Sequence, residues 1–199
     1  MAGLLTVNIQ AGIWSTLEVM EEASAALDLR YPIGKFQPPA SITATDRARF
    51  IDEIETLPGR LRSAIAGLDE AQLDTPYRPG GWTVRQVVHH FADSHMNSFV
   101  RFKLALTEDS PVIKPYDERA WAETADSRSI PVEPSLSLIE GLHQRWAALL
   151  RSLDGQQCQR TFTHPERGLL TLDVTLAMYA WHCRHHTAHI VNLRKGMGW

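Results

Sequence analysis

Four stretches of the chain space apolar residues three and four positions apart, and almost nothing in it alternates apolar with polar, so the fold open to it is a packing of helices. The first stretch runs from about Thr45 to Ala66, with Phe50, Ile51, Ile54, Leu57, Leu61 and Ile65 on its stripe and Pro58 as an expected kink or break. The second opens at Thr83, whose hydroxyl forms a capping box with Gln86 just after the Gly80-Gly81 turn, and it reaches about Leu106. The third spans about Ser135 to Leu153, with Leu138, Leu142, Trp146 and Leu149 along one face and Gly155 as its stop. The fourth, about Leu172 to Lys195, follows THPERGLLTL, a turn flanked by short extended pieces. Together they predict an all-α, antiparallel four-helix bundle. The connection between the second and third helices, Thr107 to Pro134, carries four prolines and many charges. That is more than a bundle loop needs, and it predicts a lid or wall over a site.

At 199 residues, 44% of them hydrophobic, the chain can bury the core of one domain. A net charge of −3 lacks the basic excess that phosphate neutralisation requires, which argues against nucleic acid as a partner. No apolar run approaches the roughly 18 to 20 residues that cross a bilayer, and the N-terminus has no positive region of the secretory kind. The chain reads as cytoplasmic and not membrane-bound. Its two cysteines, Cys158 and Cys183, form no CxxC pair, so any metal site must rest on histidine. The run YPIGKFQPPA, with three prolines, is extended and places the start of the domain near Leu29. Residues 1–28 then form an N-terminal extension outside the domain at 29–199, with Met20 a second candidate start.

Four of the nine histidines fall within eight residues of the last helix, in WHCRHHTAHI. Residues four apart on a helix share a face, at a separation that lets two imidazoles bind one ion. His185 with His189 and His182 with His186 both qualify, and spacing does not choose between them. A third ligand must come from a facing helix, and the second helix offers His89, His90 and His95. His95 lies within the apolar stripe of Val84, Val88, Phe91, Phe99 and Phe102, whereas His90 heads a polar stripe with Ser94, Asn97 and Arg101 that faces water or lines a wet cavity. Hydrogen-bonded core histidines are as good an account of this spacing as a metal. Trp121, Trp146 and Trp181 read as core or loop anchors, and Cys183 as a buried small hydrophobe rather than a nucleophile.

The stretch GGWTVRQVVHHFADSHMNSFVRFKLALTE, followed by KPYDERAWAE, LHQRWAALLRSL, YAWHCRHHTAHI and the terminal GMGW, resembles the bacterial YfiT family of metal-dependent hydrolases within the DinB-like superfamily. The resemblance covers about Leu29 to Trp199. It implies a four-helix bundle, a homodimer, and three histidines holding one zinc or nickel ion per subunit at the open end of the bundle. Matched residue by residue, it implies His90, His185 and His189 as the ligands and leaves His89, His182 and His186 to packing or support. Arg184 stands where a further histidine is expected, which alters the charge nearby without removing a ligand.

Such a site leaves metal positions open, and a divalent ion there could lower the pKa of water from about 15.7 towards 7, which is the chemistry of a hydrolase. The same ion could activate a thiol, as the thiol S-transferases related to this family imply, and a purely structural or storage site is the non-enzymatic alternative. Asn97 and Arg101 are the candidates for orienting an anionic small-molecule substrate. Asp93, Asp117 and Glu118 are conceivable general bases, each more readily explained as a surface carboxylate. The last helix carries apolar residues nearly all round, with Leu172, Leu176, Tyr179 and Ile190 opposite the proposed ligands, so either the long connection or a second subunit must cover it.

Overall fold

The computed structural model describes residues 28–199. All but the last residue of the expected extension therefore lies outside the described part. In chain order the elements are α1 (Ala44–Ile65), α2 (Glu70–Leu73), α3 (Val84–Thr107), α4 (Glu118–Ala122), α5 (Ala125–Ser129), α6 (Glu133–Arg151), α7 (Gly155–Cys158), the strands β1 (Thr161–His164) and β2 (Gly168–Thr171), and α8 (Leu172–Met197). The four long helices form the bundle, and the strands make the hairpin expected from THPERGLLTL, with Thr161 opposite Thr171 and His164 opposite Gly168. No helix among the described residues is long and apolar enough to cross a membrane.

The helix starts are set by side chains. At α3 the Gln86 N–H donates to the Thr83 hydroxyl at 3.1 Å and the Thr83 N–H donates to the Gln86 amide oxygen at 2.9 Å, the reciprocal box expected. Thr43 and Asp46 repeat the device at α1. At the far end of α8, Gly198 takes a φ of 72°, a left-handed stop that glycine adopts without strain. Pro58 neither breaks α1 nor ends it: the helix continues for seven residues beyond it, to Ile65.

α1 packs against α6 and α8, and α3 against the same two, so α1 and α3 sit on a diagonal. Cross-helix contacts give the directions. Arg47 meets Asp173 while Arg194 meets the Ala64 carbonyl, so α1 and α8 run parallel. Arg62 meets Glu133 while Arg151 meets Asp52, so α1 and α6 run antiparallel. His89 meets Ser135 and Phe102 meets Trp146, which makes α3 and α6 parallel, and Ser94 against Tyr179 with His90 against His186 makes α3 and α8 antiparallel. The bundle is thus the one expected, with a course of up, down, down, up rather than simple alternation. A parallel neighbour cannot follow from a tight turn, and this is the reason for the long 107–134 connection. The chain must return along α3, roughly 36 Å at 1.5 Å per residue, before α6 can begin.

The core is apolar and continuous, with Ile54, Leu57 and Leu61 of α1, Phe91 and Phe102 of α3, Ile139 and Trp146 of α6 and Ile190 of α8 fully buried. On α6 the buried stripe is Leu136, Ile139, His143, Trp146 and Leu150, whereas Leu138 is exposed. The sequence stripe through Leu138 and Leu142 is therefore rotated from the true one. A histidine at the centre of the buried face disguised it. On α8, Leu172, Leu176, Tyr179 and Ile190 are buried within the single chain, so they give no reason for a second subunit.

Candidate metal centre

A cavity of about 650 Å³ opens along the face between α3 and α8, lined from His90 to Arg101 on α3 and from Thr175 to His189 on α8. Its wall includes Pro115, Tyr116 and Glu118 of the long connection, so that segment does cover a site. Phe162 and His164 of the hairpin close another side, and Tyr31, Tyr77 and Trp82 the rim. Tyr77 stacks on His189 with ring centroids 3.9 Å apart, and Trp181 stacks on His185 at 4.3 Å. These aromatic partners hold imidazole rings in place while leaving ring nitrogens free.

Two groups of three histidines each bring one nitrogen per residue within 4.8 Å of the others: His90 with His182 and His186, and His185 with His186 and His189. His90 belongs to the first group, His185 and His189 to the second, and His186 to both. The triad implied by the resemblance is therefore spread across two overlapping clusters. The first group joins two helices. The second lies wholly on α8. Within the first, His90 Nε2 and His182 Nε2 face one another at 3.2 Å. A tetrahedral ion about 2.0 to 2.1 Å from each nitrogen holds its ligand atoms roughly 3.3 Å apart, so this pair fits one edge of such a site. Within the second, His185 Nδ1 and His189 Nε2 are buried and, among the described residues, have no hydrogen-bond partner, as ligand atoms awaiting an ion would be. The donor set is all imidazole, which suits zinc or nickel.

Burial fixes the charge of these rings. It is the leading cause in lowering His90 to about 3 and His185 and His189 to about 4, with the neighbouring His185 adding to the effect on His90 and His189. His182 and His186 are also lowered well below the ordinary value, first by burial and then by the neighbouring histidines. All five are neutral at pH 7, the form that binds metal.

The polar stripe beginning at His90 does line a wet cavity, through Ser94 and Arg101. Arg101 is only 9% exposed, and among the described residues no carboxylate pairs with it. Asn97 is placed differently: its amide donates to the Asp93 carbonyl at 2.8 Å, turned back along its own helix and outside the cavity lining. Of the three carboxylates weighed as bases, Glu118 lines the cavity. Asp117 caps α4 by accepting from Arg119 and Ala120 N–H, each at 3.0 Å. Asp93 is pushed up to about 6 by burial and then by Asp126, away from the cavity lining.

Arg184 pairs with Glu53 of α1 at 3.3 Å rather than entering the cavity. His89 ties α3 to α6 through Ser135 at 2.7 Å. Burial drives the Cys183 thiol up to about 12, which rules it out as a nucleophile at neutral pH. Trp181 lines the cavity instead of anchoring the core. His143 and His164 were missed by the sequence reading. For His143 the available signal was its place four residues after Ile139 and seven after Leu136, on an apolar face.

A four-helix bundle with a histidine-lined cavity between two of its helices defines a class of helical protein able to hold a metal ion. The chain belongs to the DinB superfamily, whose family model matches residues 53–190. It is 58% identical to a Bacillus cereus protein over 86% of this chain and 99% of that one. A Bacillus anthracis protein is 57% identical with the same coverage. Both bear the name "Putative metal-dependent hydrolase". YfiT from Bacillus subtilis, described as a "probable metal-dependent hydrolase with an unusual four-helix bundle topology", matches with a TM-score of 0.85 and 51% identity over 86% of this chain and 99% of that one.

Proposed function

We propose that the chain is a metal-dependent hydrolase acting on an anionic small molecule, with one zinc or nickel ion held by His90, His182 and His186. The observation that carries the ligand set is the 3.2 Å approach of His90 Nε2 to His182 Nε2, in a cluster that joins α3 to α8 beside an open cavity. His182 and His186, four residues apart on α8, offer two imidazoles on one face, and α3 brings the third. A second set has its own support. The nitrogens of His185 and His189, without a partner among the described residues, favour the set implied by the family resemblance, His90 with His185 and His189.

When bound, the ion supplies Lewis acidity toward water or a carbonyl oxygen. The chain's own residues do the rest. Trp82, Tyr77 and Trp181 restrict water at the rim, and Arg101 offers a guanidinium fork to a carboxylate or phosphate. Glu118, in the cavity wall, is a carboxylate to hand as a general base in this reading. A purely structural site needs no space beside it, so the cavity favours turnover over storage. Thiol transfer would use the same ion and the same space, and remains the enzymatic alternative.

Alanine at His90, His182 or His186 is expected to lower bound metal at least tenfold by elemental analysis, with little change for His185→Ala or His189→Ala. Loss at His185 and His189 with His182 unaffected would establish the other set. Full metal retention in all five variants would remove the site. Metal-loaded protein should cleave activated esters or amides, lose that activity to a chelator, and recover it with metal. Conversion of thiol-plus-electrophile pairs alone would replace hydrolysis by thiol transfer. Arg101→Gln should lower kcat/KM for anionic esters about 10- to 100-fold relative to neutral ones, given the roughly 1.5 to 3 kcal/mol of a hydrogen bond to a charged group. Equal losses for both ester classes would mean that Arg101 does not contact the substrate.

A further inference from the structure

Pro58 lies in the middle of α1 and has no N–H, so the carbonyl four residues earlier, that of Ile54, loses its helical donor. The vacancy is filled from another helix. His143 Nδ1, on α6, lies 2.5 Å from the Ile54 oxygen. His143 Nε2 lies 2.8 Å from His95 Nδ1 on α3, and His95 Nε2 lies 3.0 Å from His182 Nδ1 on α8. One line of ring nitrogens therefore crosses all four long helices and ends at the metal cluster.

The proton positions along this line follow from its first member. A carbonyl can only accept, so His143 carries its proton on Nδ1. His143 and His95 are buried and, among the described residues, hydrogen-bond only to the Ile54 carbonyl and to other imidazoles, with no carboxylate to hold a charge, so each ring has one N–H and one bare nitrogen. His143 Nε2 is then bare and must accept from His95 Nδ1–H. His95 Nε2 is bare in turn and must accept from His182 Nδ1–H. His182 is left with Nε2 bare, and Nε2 is the atom that faces His90 at 3.2 Å.

We infer that His143 and His95 are positioning residues that fix the tautomer of His182, so that its Nε2 lone pair is presented to the metal, and that Pro58 anchors the line by freeing the Ile54 carbonyl. Metal-binding histidines need their second nitrogen held in this way, and loss of such a partner costs about 10- to 100-fold in metal affinity. The usual partner is a carboxylate or a carbonyl beside the ligand. Here the carbonyl acts from two imidazoles away. The inference rests on the reading that His182 is a ligand.

Nitrogen NMR of the histidine-labelled full chain tests the two ideas separately, because imidazole 15N shifts report which ring nitrogen bears the proton. In the metal-free protein His143, His95 and His182 should each appear protonated on Nδ1. A His182 protonated on Nε2 would overturn the inference. Adding zinc should move the His182 Nε2 signal and leave its Nδ1–H in place; unchanged His182 with the three tautomers as stated would sink the ligand reading alone. His143→Phe keeps an aromatic ring at this position and removes both nitrogens. His182 should then lose its single tautomer and zinc affinity should fall about 10- to 100-fold. His143→Gln, whose amide can donate to Ile54 and accept from His95, should restore much of both. A His182 that keeps its tautomer in the Phe variant would show that something other than this line sets it.

Discussion

Acidifying the metal-free protein from pH 7 to pH 4 is expected to unfold it, with the loss beginning near pH 6.5. Burial holds His90 at about 3 and His143, His185 and His189 at about 4, and lowers His95, His182 and His186 in the same direction. In the unfolded chain all of them return to about 6.5. Below that pH the unfolded state binds protons that the folded state refuses, so stability falls as pH drops and goes on falling until the folded values are reached. Each pH unit of displacement is worth about 1.4 kcal/mol per group, and two histidines lowered by about two units each already amount to roughly 5 kcal/mol. A domain of this size has only about 5 to 15 kcal/mol in all.

One group opposes the trend. Asp93, raised by burial to about 6, contributes stability that is present below its unfolded value and lost as pH rises through the folded one, so acid relieves it. A single carboxylate displaced by about two units offsets roughly one histidine and leaves the rest uncompensated. Far-ultraviolet circular dichroism across this range measures the effect. Helicity and melting temperature unchanged down to pH 4 would mean that the imidazoles are not held neutral as the packing requires. Bound metal, which binds the neutral rings of the folded state, should raise stability at pH 7 and make the acid transition steeper.

The helices and the hairpin were legible in the sequence because their signals are local. Thr83 with Gln86, the Gly80-Gly81 turn and the spacing from Phe50 to Ile65 each act within a few residues. The order of the helices around the bundle was not legible. That α3 and α6 run parallel depends on how the 107–134 segment crosses the molecule, and only its excess length pointed to it. Pro58 read as a break because a proline removes a helical hydrogen bond. It is tolerated because His143, 85 residues further on, takes the freed carbonyl's place as partner. The histidines on α3 and α8 were visible as candidates, and spacing left two pairs on α8 open. Choosing between them requires the rotation of α8 against α3, which places both His182 and His186 beside His90. That rotation is set by packing on opposite sides of both helices, which no local pattern records.

Replacing Asp173 by Ala is expected to destabilise the protein by about 3 to 5 kcal/mol, the usual result of stranding one partner of a buried ion pair. Asp173 is 3% exposed and accepts from Arg47 Nε and Nη2, both at 2.7 Å, while Gln159 Nε2 donates to the same carboxylate at 2.7 Å. Its position explains the severity. α1 and α8 run parallel, so their N-termini lie together, and each presents the positive end of its backbone dipole. Two such ends repel, and Arg47 adds a full positive charge. Asp46 meets the end of α1 in its capping box, and the Asp173 carboxylate, in the first turn of α8, meets the end of α8 and the Arg47 charge. Its removal leaves the Arg47 cation and the α8 dipole end unopposed at a junction that the up, down, down, up course makes unavoidable. At roughly 2 to 4 °C per kcal/mol, the melting temperature should drop by about 6 to 20 °C. Arg47→Met in the same background should recover part of the loss, because it withdraws the stranded charge and keeps an apolar stem. A drop of no more than a degree or two for Asp173→Ala, or a double variant worse than either single one, would show that this ion pair does not hold the parallel helices together.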